Sequence, residues 1–272
     1  MMSKCDIINK ILQPNIADLI GSIPYRMALA GGWIDQPFVS RLHRNPPGSM
    51  VVVGLEPTYR FMDRCGMGTS TRKVAMQLWN GRLPQGEPME LVRQLYRAEN
   101  EGKAEPSGSQ DMAGLVYPGV NRLDYDYAHE GGYFPSHVES CCDPAVAAWL
   151  EGVIHLLPVA PRPPGYQPID IKNLDPDWIE CLAQSGRDCY QAILAKDIQR
   201  LGASFNECIR CWEALLPHTV GHPTITVDLK GILAYYQAHY PGAMYSGCGG
   251  GYLFVISAEP VPGTLKIKVR IQ

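Results

Sequence analysis

Glycine is concentrated at three points of this 272-residue chain. The clusters are AGGW at 30–33, CGMG at 65–68 and SGCGGG at 246–251. Each cluster lies at the end of an apolar run or directly before a predicted strand or helix. Glycine occurs where the backbone turns sharply or approaches another group too closely for a side chain. The chain is therefore constrained to a fold with three tight backbone turns, each close to a ligand or to another backbone segment.

The second cluster leads into TSTRKVAMQLW at 69–79, where hydroxyl residues precede a run of helix formers. This pattern predicts a helix that begins at Thr69. The free N–H groups and the positive dipole end of a helix N-terminus bind phosphate well. The hydroxyls of Thr69, Ser70 and Thr71 are groups that ligate Mg²⁺, although the Walker A pattern is absent. A glycine turn with a Ser/Thr cap and no ligand is the alternative.

Two carboxylates lie close to glycine or small residues. Asp35 follows the pair Gly31 and Gly32, and Asp111 follows the loop EPSGSQ at 105–110. A carboxylate near a phosphate site takes the proton of a substrate hydroxyl or holds that hydroxyl in line. A plain turn aspartate is the alternative for Asp111, and a flexible hairpin is the alternative for the segment 246–254.

The composition is that of an ordinary globular protein with a sizeable core, since 46% of residues are hydrophobic and 19% are charged. A net charge of −3 does not favour binding to nucleic acid. Residues 1–12 show no signal-peptide pattern, and the apolar stretch 145–159 is too short to span a membrane. We therefore expect a cytoplasmic protein with reduced cysteines that binds neither nucleic acid nor membranes.

Cys208 and Cys211 form a C-x-x-C pair within a predicted helix. Helical spacing places both on one face beside Phe205 and Trp212. This favours packing over metal binding or redox chemistry, because no second pair with ligand spacing lies nearby. The histidines are dispersed along the sequence, so no zinc site is expected. The aromatic stripe at 235–240 is interpreted as core or surface packing, with an interface as the alternative.

Hydrophobic periodicity predicts an α+β fold with helices clustered in the second half. A Pro-rich loop at 160–168 predicts a division into halves 1–160 and 161–272. The predicted helices cover 6–20, 69–79, 87–102, 175–197, 198–216 and 228–240. The predicted strands lie within 25–32, 49–57, 114–126, 152–159, 243–257 and 263–272.

Taken in order, the motifs resemble those of the GHMP kinases. The order is R-x-x-L-A-G-G-W-x-D, then G-M-G-T-S, then P-S-G-x-Q-D, then S-G-C-G-G-G. The spelling A-G-G-W-x-D-x-P together with Q-D is most similar to the branch that contains L-fucokinase and the heptose-phosphate kinases. The resemblance covers most of the chain. It implies a compact two-part fold with an N-terminal half like domain 2 of ribosomal protein S5 and a ferredoxin-like C-terminal half.

The resemblance implies an ATP- and Mg²⁺-dependent kinase that phosphorylates a hydroxyl of a sugar or sugar phosphate. It implies that Asp111 is the catalytic carboxylate and that Arg26 lowers the pKa of the hydroxyl or steadies the transferring phosphoryl group. It implies Ser70, with Thr69 as the alternative, and Glu99 as metal ligands, with Glu101 as the competing register for the second carboxylate. The implied nucleotide-binding residues are Gly66, Met67, Gly68, Thr69, Ser70 and Thr71. The implied substrate-binding residues are Gly31, Gly32, Asp35, Gly247, Gly249 and Gly250.

The chain departs from the GHMP pattern between the first two motifs, where only residues 36–65 separate Asp35 from Gly66. Relatives have a longer segment there that forms much of the adenine pocket. The alternatives are another phosphorylated ligand, a pocket completed by a second copy in a homodimer, or a non-catalytic protein that binds a metabolite or a protein partner. A different phosphosugar reaction on the same scaffold also stays open. Arg72 and Lys73 either add phosphate contacts or occupy the space that a nucleotide needs.

Overall fold

Two antiparallel sheets and nine α-helices make up the part of the chain that the computed structural model describes, residues 20–272. The strands are β1 (Tyr25–Ala28), β2 (Gly48–Leu55), β3 (Val120–Tyr125), β4 (His137–Cys141), β5 (Ile154–Ala160), β6 (Gly242–Tyr245) and β7 (Gly251–Ile256). The helices are α1 (Pro37–Ser40), α2 (Thr69–Leu78), α3 (Pro88–Asn100), α4 (Gln110–Val116), α5 (Pro144–Val153), α6 (Pro176–Leu194), α7 (Ile198–Leu215), α8 (His218–Gly221) and α9 (Leu229–His239).

The first sheet has the strand order β1-β2-β3-β4. All eight residues of β2 are buried, as its run of β-branched side chains predicts. Helices α4 and α6 pack against this strand, while α4 also packs against β1. The first sheet thereby fixes β1 and α4, which carry two of the predicted functional residues, side by side.

The second sheet has the order β5-β7-β6, and β7 pairs antiparallel with both neighbours. The predicted boundary at residue 160 lies at the end of β5, whose partner β7 belongs to the second half. The buried side chains of both sheets form one continuous hydrophobic core. The two predicted halves therefore share a sheet and a core.

Local signals in the sequence place several helix ends correctly. Thr69 is the first residue of α2, as predicted. Asp175 caps α6 by accepting hydrogen bonds from the N–H groups of Asp177 and Trp178, and Pro176 occupies the first helical position. None of the helices in residues 20–272 is long and apolar enough to cross a lipid bilayer.

Four of the predicted elements need correction or fall outside the described residues. The segment 243–257, predicted as one strand, forms β6 and β7, which pair antiparallel and are joined by the glycine cluster. The strand predicted within 114–126 begins only at Val120, because Gly114 belongs to α4, where its missing side chain makes room for Arg26. The segment 263–272 forms isolated bridges from Leu265 and Val269 to the two sheets and no strand. The helix predicted over 6–20 lies outside the described residues except for its last position.

Cys208 and Cys211 are completely buried on α7. Their loss of hydration raises the pKa of the Cys208 thiol to about 12, so that it stays protonated at neutral pH. Both side chains therefore act as small apolar groups, in agreement with the packing interpretation.

Candidate functional site

The phosphate loop (residues 65–71) and the glycine loop (residues 246–251) lie in backbone contact. Gly66 has a φ of +75°, and a Cβ atom there would lie 2.5 Å from the carbonyl oxygen of Ser246. The hydroxyl of Ser246 donates a hydrogen bond to the carbonyl of Cys65 at 2.5 Å. Glycine at position 66 is therefore required by the packing of one loop on the other as well as by its own left-handed backbone.

We expect Gly66→Ala to lower the free energy of unfolding more than Gly102→Ala does. Both glycines have positive φ values, +75° and +72°, so backbone strain lowers the free energy of unfolding of both variants by about 1–2 kcal/mol. Only at Gly66 does the new methyl group meet another backbone segment, since nothing lies within 4 Å of it at Gly102. This contact adds a further ~1–3 kcal/mol. Urea unfolding of both variants measures the difference, and equal losses would contradict the contact between the loops.

An ion pair connects β1 with α4 directly beside the phosphate loop. The Arg26 guanidinium donates from Nε to Asp111 Oδ1 at 2.7 Å, and its Nη2 also contacts that oxygen. Its Nη1 donates to the carbonyl of Gly66 at 2.6 Å. The hydroxyl of Thr71 donates to the other oxygen of Asp111 at 3.3 Å. Arg26, Asp111 and the start of α2, which are far apart in the sequence, therefore form one connected group.

Asp35 is buried and unpaired. The residue is 1% exposed, and neither carboxylate oxygen receives a hydrogen bond of normal geometry. Burial, with a smaller contribution from the charge of Asp111, raises the pKa of this carboxyl to about 7, although Arg26 and nearby amides oppose the shift. Neither oxygen of Asp35 is thus committed to a hydrogen-bond donor of the protein.

Glu99, near the end of α3, faces the same group of residues. Its Oε1 accepts from the Ser107 hydroxyl at 3.3 Å, while its Oε2 is buried without a partner in the described structure. Burial raises the pKa of Glu99, and the nearby charge of Asp111 adds to that shift. Glu101, the competing register, is exposed beyond the end of α3. The geometry therefore favours Glu99 over Glu101 as a neighbour of Asp111.

The oxygens around Thr71 are suitable for Mg²⁺. This ion prefers carboxylate oxygens combined with phosphate and water. Glu99 provides an unpartnered buried oxygen, Asp111 provides a second carboxylate, and Ser70 presents an exposed hydroxyl on the first turn of α2. The donor set present thus fits the ion that the resemblance implies.

Arg26 and Asp111, which contact the phosphate loop, also line the main cavity, whose volume is about 650 Å³. This volume lies within the range of sites that bind small molecules. The Trp212 indole N–H donates to the carbonyl of Gly32 at 3.0 Å and so fixes one wall. The aromatic residues that line the cavity are Trp33, Phe38, Tyr127, Tyr133 and Trp212.

Cations outnumber carboxylates around the main cavity. The lining cations are Arg26, Arg41, Lys103, Arg162 and Lys172, and the lining carboxylates are Asp35, Glu105 and Asp111. Arg26 is paired with Asp111 and Lys103 lies 3.7 Å from Glu99. The other three cations make no salt bridge with any described carboxylate. The Nε atom of Arg162 is buried without a hydrogen-bond partner, and its Nη2 lies against Gly247.

The structure separates the predicted substrate-binding residues into two groups. Gly32, Asp35 and Gly247 line the main cavity, together with Arg26 and Asp111. The remaining glycines do not line it: Gly31 packs against the β2 backbone, Gly249 against the Tyr166 ring, and Gly250 against the Ala160 carbonyl and Leu229. Gly31 thus allows the chain to turn closely against β2, and Gly32 allows close packing of Trp212.

The outer side of the phosphate loop offers less space. A second cavity of about 170 Å³ lies beside Thr69 and is smaller than typical ligand sites. Arg72 donates to the carbonyl of Ile23 at 2.8 Å, and its guanidinium lies 4.2 Å from the centre of the Tyr25 ring. Lys73 pairs with Asp63 at 2.9 Å. Arg72 therefore points away from the phosphate loop and does not fill it.

Arg162 and Trp212 are cavity residues that the sequence analysis did not identify. Arg162 lies in the Pro-rich loop, which was interpreted only as a boundary, and Trp212 was assigned to packing. The one feature of the sequence that points to Arg162 as a site residue is its position as a cation inside a stiff Pro-rich segment. Nothing in the local sequence relates either residue to Asp35.

No protein-family model and no curated protein sequence matches the chain. Among solved structures it is similar to a galactokinase from Lactococcus lactis complexed with galactose, at 12% identity and a TM-score of 0.56, covering 92% of this chain and 90% of that one. A D-glycero-D-manno-heptose 1-phosphate kinase from Bacteroides thetaiotaomicron matches at 11% identity and 0.51, covering 91% and 95%. A mevalonate diphosphate decarboxylase from Staphylococcus aureus matches at 12% and 0.52, covering 92% and 96%. The α+β prediction is confirmed, and the fold is that of the GHMP kinases.

Proposed function

We propose that this chain, which has the GHMP-kinase fold, is an ATP- and Mg²⁺-dependent kinase that phosphorylates a hydroxyl of a sugar or sugar phosphate. One observation carries the proposal: the Arg26–Asp111 pair stands between the N-terminus of α2 and a 650 Å³ cavity in which Asp35 is unpaired. Phosphoryl transfer depends mainly on positioning and on neutralising charge. The residues around the Arg26–Asp111 pair provide both the positioning and the neutralisation of charge.

The reaction assigns a separate task to each group. The amides at the start of α2 bind the nucleotide phosphates, and Asp35 accepts hydrogen bonds from the acceptor's hydroxyls. The attacking hydroxyl loses its proton to Asp111 as its oxygen bonds to the γ-phosphorus, while the bond from that phosphorus to the ADP oxygen breaks. Arg26 holds Asp111 in position. Bound Mg²⁺, held by Glu99 and Ser70, would neutralise phosphate charge.

The unpaired cations favour an acceptor that already carries an anionic group. Arg41, Arg162 and Lys172 line the main cavity without a carboxylate partner among the described residues. Arg162 is half-buried and its Nε atom has no hydrogen-bond partner, so a phosphate on the ligand would supply both a counter-charge and a hydrogen-bond acceptor. A sugar phosphate is therefore preferred over a neutral sugar.

Arg162→Ala is expected to weaken the binding of hexose or heptose phosphates by about ten- to a hundredfold, because a hydrogen bond to a charged group is lost. The binding of the corresponding free sugars should stay unchanged. Isothermal calorimetry with both series measures the two effects, and Arg82→Ala, in an exposed turn, is the matched control. Equal losses for charged and neutral sugars would contradict the assigned role.

Two measurements test the kinase proposal itself. Calorimetry with ATP–Mg²⁺ at millimolar concentration is expected to show binding, and a panel of sugars and sugar phosphates should reveal acceptor-dependent release of ADP. The proposal fails if ATP–Mg²⁺ gives no heat while a sugar phosphate binds alone.

A second candidate function is a non-catalytic protein that binds a phosphorylated metabolite. The small 170 Å³ cavity beside the phosphate loop favours it, since that space alone does not accommodate a nucleotide base. This candidate predicts that sugar phosphates bind with the same affinity in the presence and absence of ATP–Mg²⁺. The same calorimetric series therefore distinguishes the two functions.

A further inference from the structure

Three potential metal ligands, dispersed in the sequence, converge at one place outside the main cavity. They are Asp170, in the segment before α6, and His218 and His222, at the two ends of α8. His218 Nδ1 lies 2.6 Å from Asp170 Oδ1, and His222 Nε2 lies 3.6 Å from Asp170 Oδ2. All three ligand atoms lie within 4.8 Å of one another, and no other such group of three is found in residues 20–272.

The chemistry of this cluster suits a transition metal ion. Two imidazoles and one carboxylate form a mixed nitrogen and oxygen set, whereas Mg²⁺ and Ca²⁺ prefer oxygen alone. His218 begins α8 and His222 directly follows its last residue, and the centres of the two rings lie 4.8 Å apart. Their side chains are 17% and 9% exposed, while that of Asp170 is 45% exposed. The cluster is thus held from the protein side and open to solvent on the other.

The surroundings of His222 contain a suitable outer partner. Its Nδ1 lies 2.7 Å from the hydroxyl of Thr224, which can accept a hydrogen bond from that nitrogen while Nε2 binds a metal. The amide N–H of Thr224 also points at Nδ1, at 3.1 Å. Metal binding therefore requires a small adjustment of this turn.

We propose that Asp170, His218 and His222 form a Zn²⁺ site with a fourth position open to water. Zinc accepts two histidines and a carboxylate in tetrahedral geometry, with water as the fourth ligand. The proposal does not depend on kinase activity, because none of the three residues lines the main cavity.

The site is connected to the glycine loop by direct contacts. The N–H of Gly249 donates to the carbonyl of Thr219 at 2.7 Å, within α8. The Tyr166 hydroxyl donates to the carbonyl of His218 at 2.9 Å, while its ring packs against Gly249. A metal ion that joins Asp170 to α8 therefore stabilises the support on which the glycine loop rests.

Competition of the full chain with a chromophoric zinc chelator tests the site. We expect one high-affinity Zn²⁺ equivalent in the wild-type protein and an affinity at least about tenfold weaker in His218→Ala and in His222→Ala, since even an outer-shell change costs that much. Zn²⁺ should raise the melting temperature of the wild-type protein more than that of His218→Ala or His222→Ala. His137→Ala, an exposed histidine on β4, is the matched control and should bind as the wild type does.

Thiols provide the competing explanation, because Cys141 and Cys142 are adjacent and accessible. The same titration on the Cys141→Ser/Cys142→Ser variant should leave the high-affinity equivalent intact. Melting temperatures without metal show whether each histidine variant is folded, and His222→Gln is the conservative replacement if His222→Ala is not. Absence of binding in the wild type, equal affinity in the histidine variants, or loss with the thiols would each overturn the proposal.

Discussion

Asp111→Asn is expected to lower kcat by about 10²- to 10⁴-fold, the usual contribution of a general acid or base. The amide cannot take the proton of the attacking hydroxyl, although it has nearly the same shape as the carboxyl. Binding of ATP–Mg²⁺ should be retained, because the phosphate loop keeps its backbone. Steady-state release of ADP and calorimetry with the nucleotide measure the two effects separately.

The same substitution also affects stability. Arg26 is 5% exposed, so the loss of its counter-charge leaves a buried cation unpaired. The side chain of Asp111 is 26% exposed, and water therefore compensates in part. We expect the free energy of unfolding to fall by about 2 kcal/mol, which is less than the loss for a fully buried pair.

Asp124→Asn is the matched control for Asp111→Asn. Asp124 is a buried aspartate on β3 that pairs with Arg122 at 3.0 Å and accepts from the Ser49 hydroxyl. It lies outside the lining of the main cavity. This variant should lose stability to a similar degree while kcat stays unchanged. A similar loss of kcat in both variants would show that Asp111 acts through stability and not through chemistry.

Features that depend on neighbours in the sequence could be predicted, and features that depend on distant partners could not. The start of α6 follows from Asp175 and Pro176, which act within one helical turn. The run of apolar residues in β2 likewise predicted a buried strand, because this pattern depends only on residues next to one another in the sequence. In contrast, the position of Gly31 against β2 depends on how the turn after β1 folds back. The residues next to Gly31 in the sequence therefore could not show whether Gly31 contacts substrate or packs against β2.

The histidine cluster shows the same limit for the site. The sequence shows only dispersed histidines, and the carboxylate that lies beside His218 and His222 comes from Asp170, forty-eight residues before His218. Arg162 became a cavity residue only because the Pro-rich loop returns to the glycine loop. The resemblance, by comparison, implied that Arg26 and Asp111 take part in the same reaction, although it did not predict that the two side chains pair.

Asp35→Asn is expected to stabilise the protein at alkaline pH while it abolishes or strongly weakens acceptor binding. In the folded protein the pKa of Asp35 is raised from 3.8 to about 7, so the folded state holds a proton that the unfolded state has lost between these values. The stability of the wild-type protein therefore falls as pH rises through this interval. Below pH ~4 the Asp35 carboxyl is protonated in both the folded and the unfolded state, so its titration no longer changes the free energy of unfolding.

The asparagine variant lacks this cost because its side chain does not ionise. The advantage of the variant over the wild type should grow from near zero at pH ~4 to a plateau above pH ~7, with an upper limit of about 4 kcal/mol. The unpaired amide N–H₂ group of the new side chain reduces that gain. Urea unfolding at several pH values measures it, and Asp177→Asn, on an exposed side chain, is the control.

The loss of binding separates function from stability at this position. Above pH ~7, where it is ionised, Asp35 offers two acceptor oxygens to hydroxyl donors, and the amide replaces one acceptor with a donor that faces those hydroxyls. A site built to accept hydrogen bonds rejects a mismatched partner strongly. We therefore expect a more stable protein with a KM for the acceptor raised at least tenfold, a combination that damage to the fold cannot produce. If the variant is more stable at high pH but binds the acceptor normally, Asp35 does not take part in acceptor binding.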